Sequence, residues 1–327
     1  MAGMMVYCLR SLKGSSDGLT VSLLTSMYTR REKFILKPLY SVLFASVATL
    51  SLIGCSSSDD DDTMAQELVS NTEKAIAVLG SLASGDSTVF ADNVSADAYT
   101  QHNLSFPDGR DAVIDAMDAG ALDGTTVELV RSFEDDDIVF THAIYGGTWN
   151  GGTPQVAFDV FRFEDGLIVE HWDNLDAVQE DNDGTTQTDG TLTAIGTDAE
   201  TSEATRALVA TLSEALFLQG QWSSFGDYFD LENYVQHSVG AGADSAGIVG
   251  IISSLPEGTP FYSSVEYIHA QGDFALMMSE GFPDAETGLA DAYFDLFRVA
   301  DGKVIEHWDV IQTIPAQSEW ANTNGKW

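Results

Sequence analysis

Cysteine is almost absent from this chain of 327 residues: there are two, Cys8 and Cys55, so no disulfide framework organises it. Positive charge is scarce as well, with 14 Lys and Arg against 51 Asp and Glu and a formal net charge of −37. A surface of that sign repels nucleic acid and excludes it as a partner. Two acidic residues, Asp17 and Glu32, and six of the basic ones precede Cys55, so the imbalance belongs to the rest of the chain. No Gly-x-Ser-x-Gly elbow is found, and no local His/Cys pair has a zinc spacing. "QEDNDGTTQTDG" lacks the first Asp and last Glu of a calcium loop, and "GAGADSAG" lacks the third glycine of a dinucleotide loop. Neither a metal nor a cofactor is therefore expected. What is present, 44% hydrophobic and 10% aromatic residues, is enough for packed cores and excludes a disordered chain. The length suits about two domains.

From Met27 the chain reads "MYTRREKFILKPLYSVLFASVATLSLIGCSSSDDDD". A basic segment (Arg30, Arg31, Lys33, Lys37) precedes an apolar run from Leu39 to Ile53, the layout of a secretory signal. The run is shorter than the about 20 residues of a membrane span. Its ending, Leu52-Ile53-Gly54-Cys55, resembles the lipobox of bacterial lipoproteins. That resemblance implies a lipidated Cys55 as the mature N-terminus, a membrane held through acyl chains, and a place in the bacterial cell envelope. Ser56 after the cysteine implies the outer membrane. Residues 1–54 are then signal peptide and upstream extension, and 55–66 a solvated tether.

The rest is a duplication. "FDVFRFEDGLIVEHWD" (158–173) returns as "FDLFRVADGKVIEHWD" (294–309), ten of sixteen positions identical at an offset of 136, and "YTQH" (99–102) returns as "YVQH" (234–237) at an offset of 135. Each unit opens with a helical pattern: Ser70-x-x-Glu73 is a capping box ahead of Ile76, Leu79 and Leu82, and Leu208, Leu212 and Leu216 recur at four-residue spacing. Short helices are expected at Asp111 to Ala119 and Ala246 to Ser253. Strands are expected at Val127 to Phe133, Ile138 to Tyr145, Val156 to Phe163 and Leu167 to Asp173. Helices followed by an antiparallel meander indicate an α+β fold. The expected units are 67–180 and 199–316, joined by a Thr/Gly/Asp-rich linker at 181–198 and followed by a tail at 317–327.

The hairpin carries the chemistry. With a three-residue loop at "EDG" (164–166), Asp159 lies opposite His171, and in the second copy Asp295 lies opposite His307. Alternation then puts Asp159, Phe161, Phe163, Leu167, Val169, His171 and Asp173 on one face. Phe158, Val160, Arg162, Ile168, Glu170 and Trp172 take the other. A two-residue loop would instead oppose Asp159 and Trp172. An aspartate and an imidazole on one aromatic-lined face are equipment for general acid–base work. The same residues also suit a satisfied pair at a sheet edge, and His102 and His237 suit caps on backbone carbonyls. Arg162 with Glu170, and Arg298 with Glu306, suit surface ion pairs.

Tyr-x-Gln-His, Phe-Asp-x-Phe-Arg, Asp-Gly and Glu-His-Trp-Asp together resemble the SnoaL-like polyketide cyclase family, within the nuclear transport factor two-like superfamily of cone-shaped α+β barrels. The resemblance covers nearly all of both units and implies two tandem barrels, each a curved sheet wrapped on its N-terminal helices. It further implies cofactor-free aldol, cyclase or isomerase-type chemistry on a small carbonyl-containing molecule. By that resemblance Asp159 is the base, His171 orients or shares its proton, and His102 faces the pocket as donor to a developing enolate, with Asp173 beside them. Asp295, His307, His237 and Asp309 repeat the set. Tyr99, Asn103 and Phe161, with Tyr234 and Phe297 in the second unit, would contact ligand. The second unit, "QHSVGAGADSAGI", lacks the Asn, Pro and Arg of "QHNLSFPDGRDAV", which leaves the fuller site in the first. The rival reading is a pocket that holds a hydrophobic ligand without turnover, and a further one is an interaction module whose repeats pack as a pseudo-dimer.

Overall fold

A computed structural model describes residues 69–179 and 184–327; the leader, Cys55 and the tether expected from the sequence lie outside them. The first unit runs α1 (Asn71–Ser84), α2 (Ser87–Asn93), β1 (Thr100–Gln101), α3 (Arg110–Asp118), β2 (Thr125–Asp135), β3 (Ile138–Gly147), β4 (Gln155–Glu164) and β5 (Leu167–Ala177). The second runs α4 (Ala199–Leu212), α5 (Phe225–Tyr228), β6 (Val235–Gln236), α6 (Ser245–Ile252), β7 (Tyr262–Gln271), β8 (Phe274–Gly281), β9 (Asp291–Ala300) and β10 (Lys303–Thr313). Among the described residues no helix is long and apolar enough to cross a membrane.

The start of α1 follows from its capping box. Ser70 accepts from the Glu73 amide, and the Glu73 carboxylate takes the Ser70 amide in return. Gly85, at φ 73°, ends the helix in the left-handed conformation glycine adopts freely. Ala75, Val78 and Leu79 on one face then bury against the sheet with Phe161, Phe163 and Ile168. In the second unit Asp198 caps α4 through the Thr201 amide, and the helix runs on into a π-helical stretch, Ser213–Leu218.

Each sheet has five strands, ordered β1-β5-β4-β3-β2 and β6-β10-β9-β8-β7. The meander is antiparallel as expected. A two-residue strand unseen in the sequence, β1 or β6, adds itself parallel to the last long strand, with Gln101 beside His171 and Gln236 beside His307. The β4–β5 turn has two residues, Asp165 and Gly166, both at positive φ (51° and 76°), and not the three expected. A bulge between Arg162 and Phe163 leaves Val169 unpaired and moves the register. Asp159 therefore lies opposite Asp173, and Phe161 opposite His171. The expected pairing of Asp159 with His171 is diagonal instead of direct, and Ile168, expected on the outer face, packs into the interior. The second hairpin repeats this through Asp301, Gly302 and a bulge at Ile305.

The outer faces of the two sheets share a core. Phe140, Phe158, Val160 and Trp172 of the first pack with Leu276, Phe294, Leu296 and Trp308 of the second. Asn174, fully buried there, donates to the carbonyls of Ala292 and Val310 at 2.8 and 2.9 Å.

Candidate active site

The inner face of the first sheet carries a polar cluster at one end of an apolar chamber. Parallel pairing of β1 with β5 turns Gln101 inward, where its carbonyl oxygen accepts from the Asn103 amide (2.9 Å) and lies 3.0 Å from His171 Nδ1. An oxygen that accepts from both fixes the Nδ1 position of His171 as a donor. The other ring nitrogen, Nε2, is 3.2 Å from Asp159 Oδ1. One proton lies between these two atoms, as imidazolium with carboxylate or as imidazole with carboxylic acid. The pair is thus a proton store.

The surroundings bias where that proton sits. Asp159 is 1% exposed, and burial raises its carboxyl, opposed by the His171 hydrogen bond and charge. Tyr145 on β3 donates to Asp159 at 3.1 Å, and burial holds its own hydroxyl protonated, well above the usual phenol range. Asn103 donates to Asp173 Oδ2 at 2.7 Å, while Asp173 Oδ1 is buried without a protein partner. Tyr99 lines the same chamber, receives a hydrogen bond from Gln101 Nε2, and is raised chiefly by burial and then by Asp173. The rest of the wall is apolar, with Leu79, Phe90, Val113, Leu122 and Phe161 among its residues. The cavity measures about 60 Å³. A single water requires about 10–15 Å³ on this scale, so the enclosed part admits only a few heavy atoms.

Asp159, His171 and Asp173 bring one ligand atom each within 4.8 Å of one another, as do Asp295, His307 and Asp309. That donor set could accept a cation as well as a proton. All but Asp173 Oδ1 of the first set's facing atoms already have hydrogen-bond partners.

His102 is not in the pocket. Its neighbour Gln101 points inward, so His102 points out, stacked on Trp172 at 4.9 Å with Nε2 2.9 Å from Glu170 and Nδ1 3.0 Å from the Gly325 carbonyl. His237 likewise stacks on Trp308 and bonds Glu306 and the Thr186 carbonyl. The enolate-donor role expected of His102 is corrected on this geometry. Glu306, buried and bonded by His237, Arg298 and Thr191, has its carboxyl lowered to about 2 although burial alone would raise it. It is no surface ion pair.

The second barrel keeps the pair and changes its setting. His307 Nδ1 is 2.8 Å from Gln236 Oε1 and Nε2 3.1 Å from Asp295 Oδ1. Ser238 replaces Asn103, with its amide on Gln236 Oε1, and burial raises Asp309. The hydroxyl on Asp295 comes from Tyr262, at 2.8 Å, on a different strand from its counterpart. In the first sheet Tyr145 lies opposite Val127; in the second, Gly281 stands at the Tyr145 position opposite Tyr262. The tyrosine has crossed to the neighbouring strand, and a Cβ on Gly281 would press on the Tyr293 ring. Tyr293 in turn replaces Ala157, and Tyr262, Tyr293, Phe261 and Phe217 pack ring against ring. Tyr234 and Phe297 also lie in this aromatic core.

Gln101 and Tyr145 escaped the sequence reading. Gln101 stands inside the repeated Tyr-x-Gln-His, so the repeat marks it, but a two-residue strand is too short for alternation to choose it over histidine. Tyr145 has no counterpart at its repeat offset and so gave no signal.

The family model of the SnoaL-like domain matches residues 76–171. Among solved structures the chain is similar to a putative polyketide cyclase from Bacillus cereus, at 19% identity over 32% of this chain and 74% of that one, with a TM-score of 0.29. It is similar also to an NTF2-like protein of unknown function from Cytophaga hutchinsonii (12% identity, 34% and 94% covered, TM-score 0.29). A third is a LEH-like epoxide hydrolase from M. tuberculosis (19% identity, 32% and 82% covered, TM-score 0.29). No curated protein matches.

Proposed function

We propose that this chain, whose first barrel is a SnoaL-like domain, performs cofactor-free proton transfer on a small carbonyl compound in that barrel. The observation that carries the reading is His171 held between Gln101 Oε1 and Asp159 Oδ1 at the polar end of an apolar cavity. The Asp159 carboxylate, made more basic by burial, takes the proton α to the carbonyl. The electron pair of that C–H bond becomes the enolate, whose oxygen accepts a hydrogen bond from Tyr145 or Asn103 in place of their present partners. The enolate carbon then attacks a second carbonyl within the molecule, whose π electrons move to its oxygen as that oxygen takes the proton back from the Asp159–His171 pair, or the enolate is reprotonated at another carbon by the same pair. Low dielectric strengthens each of these contacts. The small cavity favours a compact substrate or one ring of a larger molecule.

The apolar wall also supports the rival reading, a site that holds a hydrophobic ligand without turnover. A crystal soaked with a small cyclic ketone separates the two. Its oxygen within hydrogen-bond reach of Tyr145 or Asn103, with an α carbon facing Asp159, agrees with catalysis. A ketone lodged with its oxygen away from both donors contradicts it.

The two barrels, with their shared core and repeated sequence, are read as a pseudo-dimer within one chain. Cys55 as a lipidated N-terminus at the outer membrane completes the proposal, resting on the Leu-Ile-Gly-Cys sequence alone. Intact mass of the membrane fraction should show an acylated chain beginning at Cys55 and no lipid on Cys55→Ser. Residues 1–54 still attached to the wild type would refute it.

A further inference from the structure

The loop that carries Gln101 and Asn103 is held from outside by the last residues of the chain. Asn322 donates to the carbonyls of Asn103 and Phe106, both at 2.9 Å. Asn324 donates to the Gln101 carbonyl at 2.9 Å and to Asp108 at 2.6 Å. The Gly325 carbonyl meets His102 Nδ1, and the Lys326 ammonium donates to the Asp173 carbonyl. The Ala321 amide is bonded to the Leu104 carbonyl as well. Three of the carbonyls held this way, those of Gln101, Asn103 and Asp173, belong to residues whose side chains form the polar end of the first cavity. Asn322 and Lys326 are buried in doing so, at 7% and 6% exposure.

The segment between the barrels does the reciprocal work. Thr185 Oγ1 donates to the Gln236 carbonyl at 2.8 Å, and the Thr186 carbonyl meets His237 Nδ1 at 2.9 Å. Farther on, Asp189 accepts from the Trp308 indole, and Thr191 bonds Glu306. The chain leaving the first barrel thus braces the Gln-His loop of the second, and the chain leaving the second braces that of the first. Partner for partner, Thr185 matches Asn324 on the glutamine carbonyl, and Thr186 matches Gly325 on the histidine.

We propose that the arm Asn322–Lys326 is the positioning element of the first-barrel site, so that this site is complete only with residues delivered by the second barrel. The proposal rests on the reading of His171 and Asp159 as the working pair. None of the arm's hydrogen bonds goes to either of their side chains. It acts through Gln101, whose backbone carbonyl it holds and whose side-chain Oε1 must meet His171 Nδ1 within a few tenths of an ångström for the ring proton to stay where it is. With the backbone on either side of Gln101 free to shift, that oxygen loses its aim, and the proton shared between His171 and Asp159 loses its fixed geometry.

His307 is an internal control, because its bond to Gln236 is braced by residues 185–186 and not by the arm. The experiment is imidazole NMR on the full chain labelled with ¹⁵N at histidine, following exchange of the Nδ1 protons of His171 and His307 with water. In the double variant Asn322→Ala/Asn324→Ala the His171 proton should exchange at least about tenfold faster, while the His307 proton changes by less than about twofold. Acceleration of both to the same extent would mean general loosening, and no change in either would mean an idle arm; each overturns the proposal. Should the double variant not fold, Asn324→Ala alone removes the bond to the Gln101 carbonyl and is read the same way. The readout involves no substrate, so a braced His171 without turnover would sink the proposed chemistry and leave the arm's role intact, and the reverse outcome is equally visible.

Discussion

Asp159→Asn is a change whose effect on stability has a sign that depends on what the Asp159–His171 pair is for. An amide has the shape of the carboxylate and can keep its contacts: its nitrogen donates to His171 Nε2 from the position of Oδ1, and its oxygen accepts from Tyr145 at the position of Oδ2, now 3.3 Å away. His171 keeps its Nδ1 hydrogen bond to Gln101 Oε1. Both His171 and Tyr145 keep a partner, the tyrosine through its Oδ2 contact alone, and a buried carboxyl raised by desolvation is removed. The sign follows from linkage. A folded-state carboxyl above its unfolded value binds more protons folded than unfolded, so the wild type loses stability as pH rises through that interval and carries the cost at pH 7. Each unit of such a shift is worth about 1.4 kcal/mol. The variant should therefore be more stable at pH 7 and melt higher, by about 2–4 °C for each kcal/mol gained in a unit of this size. The gain should vanish below about pH 4, where the wild-type carboxyl is protonated in both states. Thermal melts of both proteins at pH 7 and pH 4 make the test. A structural ion pair predicts the opposite, a loss of about 3–5 kcal/mol on breaking a buried pair, and a lowered melting temperature at pH 7 would refute the reasoning.

Two further predictions address the joint between the barrels and the arm. Asn174→Ala removes two hydrogen bonds to buried carbonyls of the second barrel and should cost about 2–3 kcal/mol, read as a lower denaturation midpoint at unchanged slope. Lys326 is buried, and its ammonium is pushed down from 10.5 to about 8; between pH 8 and about 9.5 the unfolded chain binds more protons than the folded one, so stability should climb by about 2 kcal/mol. In Lys326→Met that rise should disappear, and an unchanged pH profile of denaturation would count against the burial.

Much of this architecture is visible in local sequence signals. The capping box at Ser70 starts α1, Asp-Gly marks the hairpin turns, and the repeated hairpin announces two copies of one fold. The polar end of the pocket was half visible. Asp159 and His171 do meet, but through a diagonal contact, because a two-residue turn and a bulge at Val169 together restore the face that a three-residue loop was expected to provide. A bulge leaves no composition signature, so the register was beyond reach. His102 was misdirected because a two-residue parallel strand is too short for periodicity to register, and its alternation decides that glutamine faces in and histidine out. The segment 181–198, polar and without apolar period, reads as the linker between the units. Its residues from 185 to 191 form a hydrogen-bonded strap, since threonine hydroxyls and backbone carbonyls meet buried polar groups that a hydrophobic pattern does not reveal. The tail at 317–327 gave no hint of its role for the same reason.

The central claim, that the first barrel moves protons next to a carbonyl, is tested most directly by exchange at the α carbon. Small cyclic ketones incubated with the protein in D₂O, and followed by proton NMR, should lose α-proton intensity in the presence of the wild type. Asp295→Asn should retain that activity, because its pair sits among the rings of the second barrel. Asp159→Asn, folded and at least as stable as the wild type, should reduce the exchange to the rate in buffer. Exchange by Asp159→Asn as fast as by the wild type would contradict the account.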